Sequence, residues 1–508
     1  MIIGKIVRWK SRQKIWFVEL IMFLFVFSCS SNKSSNNASV EIEAKNPLAE
    51  KILGREINIP SEPSKLCVSA HTNPFSDEQS IERELDIIKE AGFDIIRKDI
   101  LWLDIEPEEG RINQNALEKY RFLFRKAKER GIDIIGILAY GNWWASDKSV
   151  SCTQECVEKG GETQSCRSVC SFFAPDPQKF AKFAETVSRE IPEVQKFEIW
   201  NEPNWIVFMN PPDPSLYSEI FISARNRIKN EKNEVFIGGL MMVRENRIPT
   251  NILFPWNEFL GELKRNGVLE ISDAVAIHPY IVARNLPYPP LLPPEDSVNS
   301  TSSLIGFIKS VSDILPASRQ IPIYITEIGW PSDPTSPQNF VPEQKQAEFL
   351  IRAFLISSMF GVRVFCIYTL KDLPDDFFTP LPAERYFGIT KKDLSPKKSF
   401  LALKFISQNL KGKKYVGDML IKSSQENVNQ TSSDGEEKII FSPVFEDEEE
   451  YIIFIWATKN TGEEILSPFD IKIPSKSKVF SIYGEDIPVK DGYIGISSTP
   501  VIIKIAKK

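Results

Sequence analysis

Histidine is almost missing from this chain, with only His71 and His278 in 508 residues. A metal centre built from several imidazoles is therefore nearly excluded. A metal-dependent amidohydrolase, which wants several histidines at strand ends, goes with it. Positive charge is not in surplus either. Sixty-two Lys and Arg against 68 Asp and Glu leave a formal charge of −6, which removes nucleic acid as a favoured partner. No glycine-rich phosphate loop follows any strand-like run, which weighs against nucleotide binding. Long apolar runs are also absent beyond the N-terminus, so no other segment is expected to span a bilayer.

The N-terminal run has the order of an export signal. MIIGKIVRWKSRQK supplies five basic residues, and IWFVELIMFLFVFS follows as a hydrophobic stretch too short for a comfortable membrane span. It ends at Cys29, where a bacterial lipobox places the cysteine that is lipidated, although Val26 stands where Leu is usual. SSNKSSNNAS then reads as a polar tether. The expectation is an exported lipoprotein of the bacterial cell envelope, at the outer membrane or periplasmic face and held by an N-terminal lipid anchor. Simple cleavage and secretion is the alternative.

Cys152, Cys156, Cys166 and Cys170 make a C-x3-C-x9-C-x3-C pattern in one polar insertion. On short helices, cysteines four apart share a face, so two antiparallel turns can be joined by two disulfides. A four-thiolate zinc site has compatible spacing, but an exported chain favours disulfides. Cys67 and Cys366 lie in apolar strand-like runs and read as buried thiols.

From about residue 64, β-like and helix-like segments alternate. LCVSAH, FDIIRKDI, IDIIGILAYG, KFEIWNE, VFIGGLMM, DAVAIHPY, IPIYITEIGW and VRVFCIYTL are the strand candidates. Amphipathic stretches such as DEQSIERELDIIKEAG and QNALEKYRFLFRKAKERG separate most of them. The pattern predicts an α/β fold, a (β/α)8 TIM barrel over 61–411, with an open doubly wound sheet as the alternative. Residues 1–29 are then the signal and 30–60 a tether and lead-in. After Lys411 only short strands with acidic or glycine turns remain, which predicts a small all-β sandwich over 412–508. A proline-rich loop after HPY carries Tyr288 and several leucines that can cover a ligand or pack a barrel end.

In such a barrel the strand C-termini open on one face, and function gathers there. That rule collects His71 from strand one and Arg97 from strand two. Strand four ends at Asn201 and Glu202, strand six at His278 and Tyr280, strand seven at Glu327, and strand eight near Tyr368. Strands four and seven lie roughly opposite each other, so Glu202 and Glu327 can face across the cavity, the arrangement glycoside hydrolysis needs. Asn201 can hold a sugar hydroxyl or bond a carboxylate. Arg97 and Tyr280 can support a nucleophilic carboxylate. Trp143, Trp144, Trp200, Trp205 and Trp330 offer flat faces for sugar rings, or pack the barrel rim.

WNEPNW and ITEIGWPS, with their glutamates 125 residues apart, resemble the strand-four and strand-seven motifs of clan A glycoside hydrolases. RKDILWLDIEPEEGRIN resembles the strand-two segment of that clan, HPY its strand-six end, and ERYFGITKKDLSPKKSFLALK the segment leaving strand eight. The family holding β-xylosidases and α-L-iduronidases is similar. The resemblance covers about residues 64–410. It implies a retaining enzyme acting on an oligo- or polysaccharide or other glycoside without cofactor or metal. Glu202 would be the acid/base and Glu327 the nucleophile. Asn201 would sit at the sugar 2-hydroxyl, and Arg97, His278 and Tyr280 would support the nucleophile or the ring. Tyr368 stands where many members have a Trp, and the cysteine insertion has no counterpart there. A non-catalytic carbohydrate-binding lipoprotein on the same barrel is the rival; a missing carboxylate would mark it, and none is missing. The neighbouring carboxylate is expected to raise the Glu202 pKa.

Overall fold

The structure is a computed structural model that describes residues 42–43, 60–242, 249–281, 292–295, 303–333, 340–374, 382–420 and 438–507. Cys29, Tyr288 and the polar loop 424–437 lie outside the described residues.

Runs rich in Ile, Val and Phe form eight parallel barrel strands, as residues buried on both faces should. They are β1 Lys65–Ser69, β2 Ile95–Leu101, β3 Asp133–Ala139, β4 Lys196–Ile199, a divided β5, β6 Val275–Pro279, β7 Ile323–Ile328 and β8 Val364–Ile367. Each pairs with its neighbour in sequence, and β8 pairs with β1. β5 comes as Glu234–Ile237, paired with β4, and Leu240–Met242, paired with β6. One strand bent at Gly238–Gly239 thus carries the ring from β4 to β6. No other residue type fits the bend. A Cβ on Gly238 would lie 2.4 Å from the Trp200 carbonyl oxygen, and one on Gly239 would lie 2.0 Å from His278 Nε2.

Helices cover the outside. Several begin at side-chain caps, with Asp77, Asn113, Asp176 and Asp213 accepting from backbone N–H groups of the first turn. Helices Trp256–Arg265 and Leu304–Ile314 flank β6, and Lys398–Leu410 follows the segment leaving β8. Sequence reasoning missed these three.

Cys67 and Cys366 are not thiols. They face each other in register on β1 and β8 and form a disulfide, within a layer that also holds Ile95, Ile135, Phe236 and Tyr324. Ring closure brings together residues 299 apart in sequence, which no local pattern reveals. The insertion after β3 forms helices Asp147–Glu158 and Thr163–Cys170, joined by Cys152–Cys170 and Cys156–Cys166 disulfides.

The C-terminal region is all-β: β9 Lys414–Met419, β10 Lys438–Phe441, β11 Pro443–Glu446, β12 Glu450–Lys459, β13 Phe469–Lys472, β14 Lys478–Ser481, β15 Tyr493–Ile496 and β16 Val501–Ala506. β13 and β15 pair as a separate antiparallel sheet, and the others form a larger one. Ile42–Glu43 adds antiparallel to β9, so part of the lead-in belongs to this sheet. Among the described residues no helix is long and apolar enough to cross a membrane.

The β-region is joined to the barrel by a buried charge network. Arg352, on helix Glu343–Met359, pairs with Glu295 from the loop after β6; both side chains are sealed from solvent. Arg352 also reaches Glu464 at 3.2 Å and the Ser498 carbonyl at 3.0 Å, while Trp456 Nε1 donates to Glu295 at 2.8 Å. Removing one partner strands the other charge without water. Arg352→Met is expected to lower unfolding free energy by about 3–5 kcal/mol in urea titration. The double variant with Glu295→Gln should recover much of that loss. Equal losses in both variants would contradict the pairing argument.

Candidate active site

Regular alternation and two local departures from it bring the site together. On β2, alternation sends Ile95, Arg97 and Asp99 to one face, the barrel interior. On β4 the same rule places Glu198 inward. The chain then leaves β4 through left-handed backbone at Trp200 (φ 71°) and Glu202 (φ 45°), an uncommon conformation for side-chain-bearing residues. Trp200 anchors this turn, fully buried and donating from its indole to the Phe208 carbonyl at 3.0 Å. On β7 the pairing with β8 slips by one residue between Ile325 and Ile328. The bulge lets both Thr326 and Glu327 turn toward the site, whereas strict alternation would send one of them outward.

Arg97 is the hub. Its Nε and Nη2 grip Glu198 at 2.6 and 3.0 Å, Nη1 meets Glu327 at 2.5 Å, and Nη2 also donates to Asn201 Oδ1 at 2.7 Å. Tyr280 donates to the other Glu327 oxygen at 3.0 Å. Across the site, Glu202 Oε1 lies 2.7 Å from His278 Nδ1. One carboxylate oxygen each from Glu202 and Glu327 and one His278 ring nitrogen all fall within 4.8 Å of one another. A divalent cation could use such donors, but both Glu327 oxygens are already engaged, one by a guanidinium.

Burial, first, and then the charge of Glu327 push the Glu202 carboxyl well above the usual range. The expected neighbour effect is therefore present but second to desolvation. Burial also raises Glu327, but less, because the Arg97 charge and hydrogen bonds from Arg97 and Tyr280 favour its ionised form. Burial and then Arg97 hold His278 well below its ordinary value, so it is neutral. The two glutamates thus sit in opposed surroundings, with Glu202 better suited to keep a proton and Glu327 to lose one.

The other predicted residues divide. Tyr368 stands edge-on to His71 and Phe387, with ring centroids 5.5 and 5.4 Å away, and Phe387 also meets Tyr280; His71 itself is exposed. Trp330 is not an open platform: it is 1% exposed, packs against Phe349 and donates to the Leu292 carbonyl. Trp143 donates to the Pro107 carbonyl, and the Arg167 guanidinium from the insertion lies 4.3 Å over its ring. Trp330 serves as packing in this arrangement, and Trp143 is part-buried with one face taken by Arg167. Just past the insertion, the Phe172 ring centroid lies 4.8 Å from that of Tyr140, which senses the charges of Glu327 and Glu202.

Sequence reasoning missed Glu198, Thr326 and Glu384. An acidic residue within the four-residue run KFEI was the signal for Glu198. Glu384, in the turn Pro382–Tyr386, accepts from Tyr368 Oη at 3.0 Å, and its charge helps raise the pKa of Glu202 and of Tyr368. No motif marks it.

No protein-family model matches the sequence, and no curated protein matches it. Solved structures do share the fold. A family 39 glycoside hydrolase from the gut symbiont Bacteroides cellulosilyticus WH2 is 18% identical, with 89% of this chain and 83% of that one covered and a TM-score of 0.54. A monomeric β-xylosidase from Caulobacter crescentus CB15 is 15% identical, with 88% and 98% covered and a TM-score of 0.55. A GH39 enzyme from Xanthomonas axonopodis pv. citri is 15% identical, with 88% and 95% covered and a TM-score of 0.52. The chain therefore has the fold of these glycoside hydrolases: a barrel with a β-region built onto it.

Burial raises the Glu384 carboxyl to about 7. The unfolded chain releases that proton first, so this group's contribution to stability falls as pH rises from about 4.5 to about 7. Glu384→Gln should reduce the decline measured by denaturant titration between those pH values, by up to about 3 kcal/mol. An unchanged decline would place the Glu384 proton elsewhere.

Proposed function

We propose that this chain is a retaining glycoside hydrolase in which Glu327 is the nucleophile and Glu202 the general acid and base. The observation that carries the reading is the asymmetric carboxylate pair. Buried Glu202 and part-buried Glu327 bring carboxylate oxygens within 4.8 Å of each other; a guanidinium and a phenol hold Glu327, and a neutral imidazole holds Glu202. That approach fits the short separation of about 5–5.5 Å between carboxyl groups that double displacement uses, rather than the about 6.5–9.5 Å of inverting enzymes.

In the first step Glu327 attacks the anomeric carbon while Glu202 gives its proton to the departing oxygen. In the second, Glu202 takes a proton from water as that water displaces Glu327. Arg97 and Tyr280 keep Glu327 aimed and disposed to ionise. Asn201, fixed by Arg97, holds its amide N–H groups toward the sugar. His71 and Tyr368 border the bound ring. Two of the solved structures of like fold are described as β-xylosidases, which puts β-xylosides first in any substrate panel.

We also place the protein at the cell envelope, on the signal-like N-terminus and Cys29, and its three disulfides suit an oxidising compartment. Cys29→Ala should move the exported protein from the membrane to the soluble fraction; unaltered fractionation would remove the lipid anchor.

Protein lacking residues 1–29 should hydrolyse at least one activated aryl glycoside and release the sugar first with its anomeric configuration retained, as followed by proton NMR. Glu327→Ala should abolish that turnover. Glu202→Ala should spare substrates with good leaving groups and slow those with poor ones by about 10²–10⁴-fold. Full activity in both variants would refute the assignment.

A further inference from the structure

The polar groups behind Glu202 form a line whose hydrogens can be placed by counting donors. Glu198 is bidentate on Arg97 and also accepts the Gly239 N–H at 2.8 Å, so in this ion pair it offers only lone pairs. Thr326 Oγ1 lies 3.1 Å from Glu198 Oε1 and 3.0 Å from His278 Nε2. A hydroxyl has one proton, and two bare oxygens at that distance would repel, so the proton goes to Glu198. The lone pairs of Thr326 then face His278, and Nε2 must carry the ring hydrogen.

A neutral imidazole has a single N–H, which leaves Nδ1 bare. That bare nitrogen is the one 2.7 Å from Glu202 Oε1. The contact is a hydrogen bond only if Glu202 supplies the proton. Gly239 is part of the arrangement, because any side chain there would collide with Nε2.

We propose that Glu198 and Thr326 act through His278 as positioning residues that fix its Nε2–H tautomer and so hold Glu202 as the protonated acid in the free enzyme. The Nε2–H assignment stands on the donor geometry, and the bare Nδ1 on that geometry together with the full burial that keeps the imidazole neutral; the catalytic consequence rests on the two-glutamate reading. When Glu202 donates, its O–H bond breaks, the proton passes to the leaving oxygen, and a carboxylate remains beside a bare nitrogen. That unfavourable pairing is relieved when Glu202 takes a proton from the incoming water, which closes the cycle with no net change in the relay. Other charges also act on Glu202: Glu327 from β7, Glu384 from the turn Pro382–Tyr386 and Glu198 from β4 favour its acid form, and Arg97 from β2 opposes it. The phenols of Tyr140, Tyr280 and Tyr368 also feel the charge of Glu202.

The scarcity of histidine makes the test direct. In ¹⁵N-histidine-labelled protein carrying His71→Asn, His278 is the only labelled ring. Its NMR pattern should show a protonated Nε2 and a bare Nδ1 from about pH 5 to about pH 8. Thr326→Val should release the tautomer so that Nδ1–H points at a Glu202 carboxylate, and Thr326→Ser should restore the wild-type pattern. On a substrate found in the aryl glycoside panel, the alkaline limb of kcat/KM should move down by about one pH unit or more in Thr326→Val and return in Thr326→Ser. The NMR result needs no substrate, so it is read even if no glycoside is turned over. A wild-type His278 that is protonated at Nδ1, or a Thr326→Val protein that keeps the Nε2–H tautomer, would overturn the proposal.

Discussion

A guanidinium sealed inside a barrel keeps its charge only when negative groups surround it, because the interior penalises an unpaired ion by several kcal/mol. Arg97 meets that condition with Glu198 and Glu327, and burial and pairing act on it in opposite directions. The rest of the site follows. Glu198, once committed to Arg97, can only accept, which orders Thr326 and His278. Glu327, once held by Arg97 and Tyr280, is the easier of the two glutamates to ionise. Asn201 is fixed because the same guanidinium leaves it a donor. One cation placed at the middle of β2 thus gives two chemically identical side chains different surroundings.

The backbone irregularities gain meaning from that network. Left-handed residues at the end of β4, the double glycine in β5 and the bulge in β7 each depart from ideal barrel geometry where a functional side chain needs a position that regular alternation withholds. Gly238 makes room for the carbonyl of Trp200, and Gly239 makes room for His278. Beyond the strands, Lys397 ties down the segment carrying Glu384 through bonds to Asp372 at 2.7 Å and to the Tyr386 carbonyl at 3.3 Å. The Glu295–Arg352 pair ties the described part of the loop after β6 to the β-region in the same manner.

The barrel was legible because its strands are apolar runs with clear punctuation, and because strand ends in such a fold share one face. Arg97, Glu202, His278, Tyr280 and Glu327 were therefore found from position and residue type, and the structure brings them together. What stayed hidden depends on closure or on local irregularity. Cys67 and Cys366 meet only when β8 returns to β1. Thr326 stayed hidden because taking Glu327 as inward sends its neighbour outward, and a bulge admits both; Glu384 arrives only through a long connection after β8. Residue type does not say which face of an indole is free: Trp330 packs against Phe349, and the Arg167 guanidinium lies over the ring of part-buried Trp143.

In the proposed mechanism Glu327, held by Arg97 and Tyr280, forms the covalent bond to the sugar. The most direct measurement is mass spectrometry of the protein after incubation with the 2-deoxy-2-fluoro analogue of whichever glycoside it accepts, followed by peptide mapping. One glycosyl adduct per chain is expected, located on the peptide containing Glu327 and missing from Glu327→Ala. An adduct on Glu202 or on Glu384, or turnover with inversion and no adduct, would contradict it.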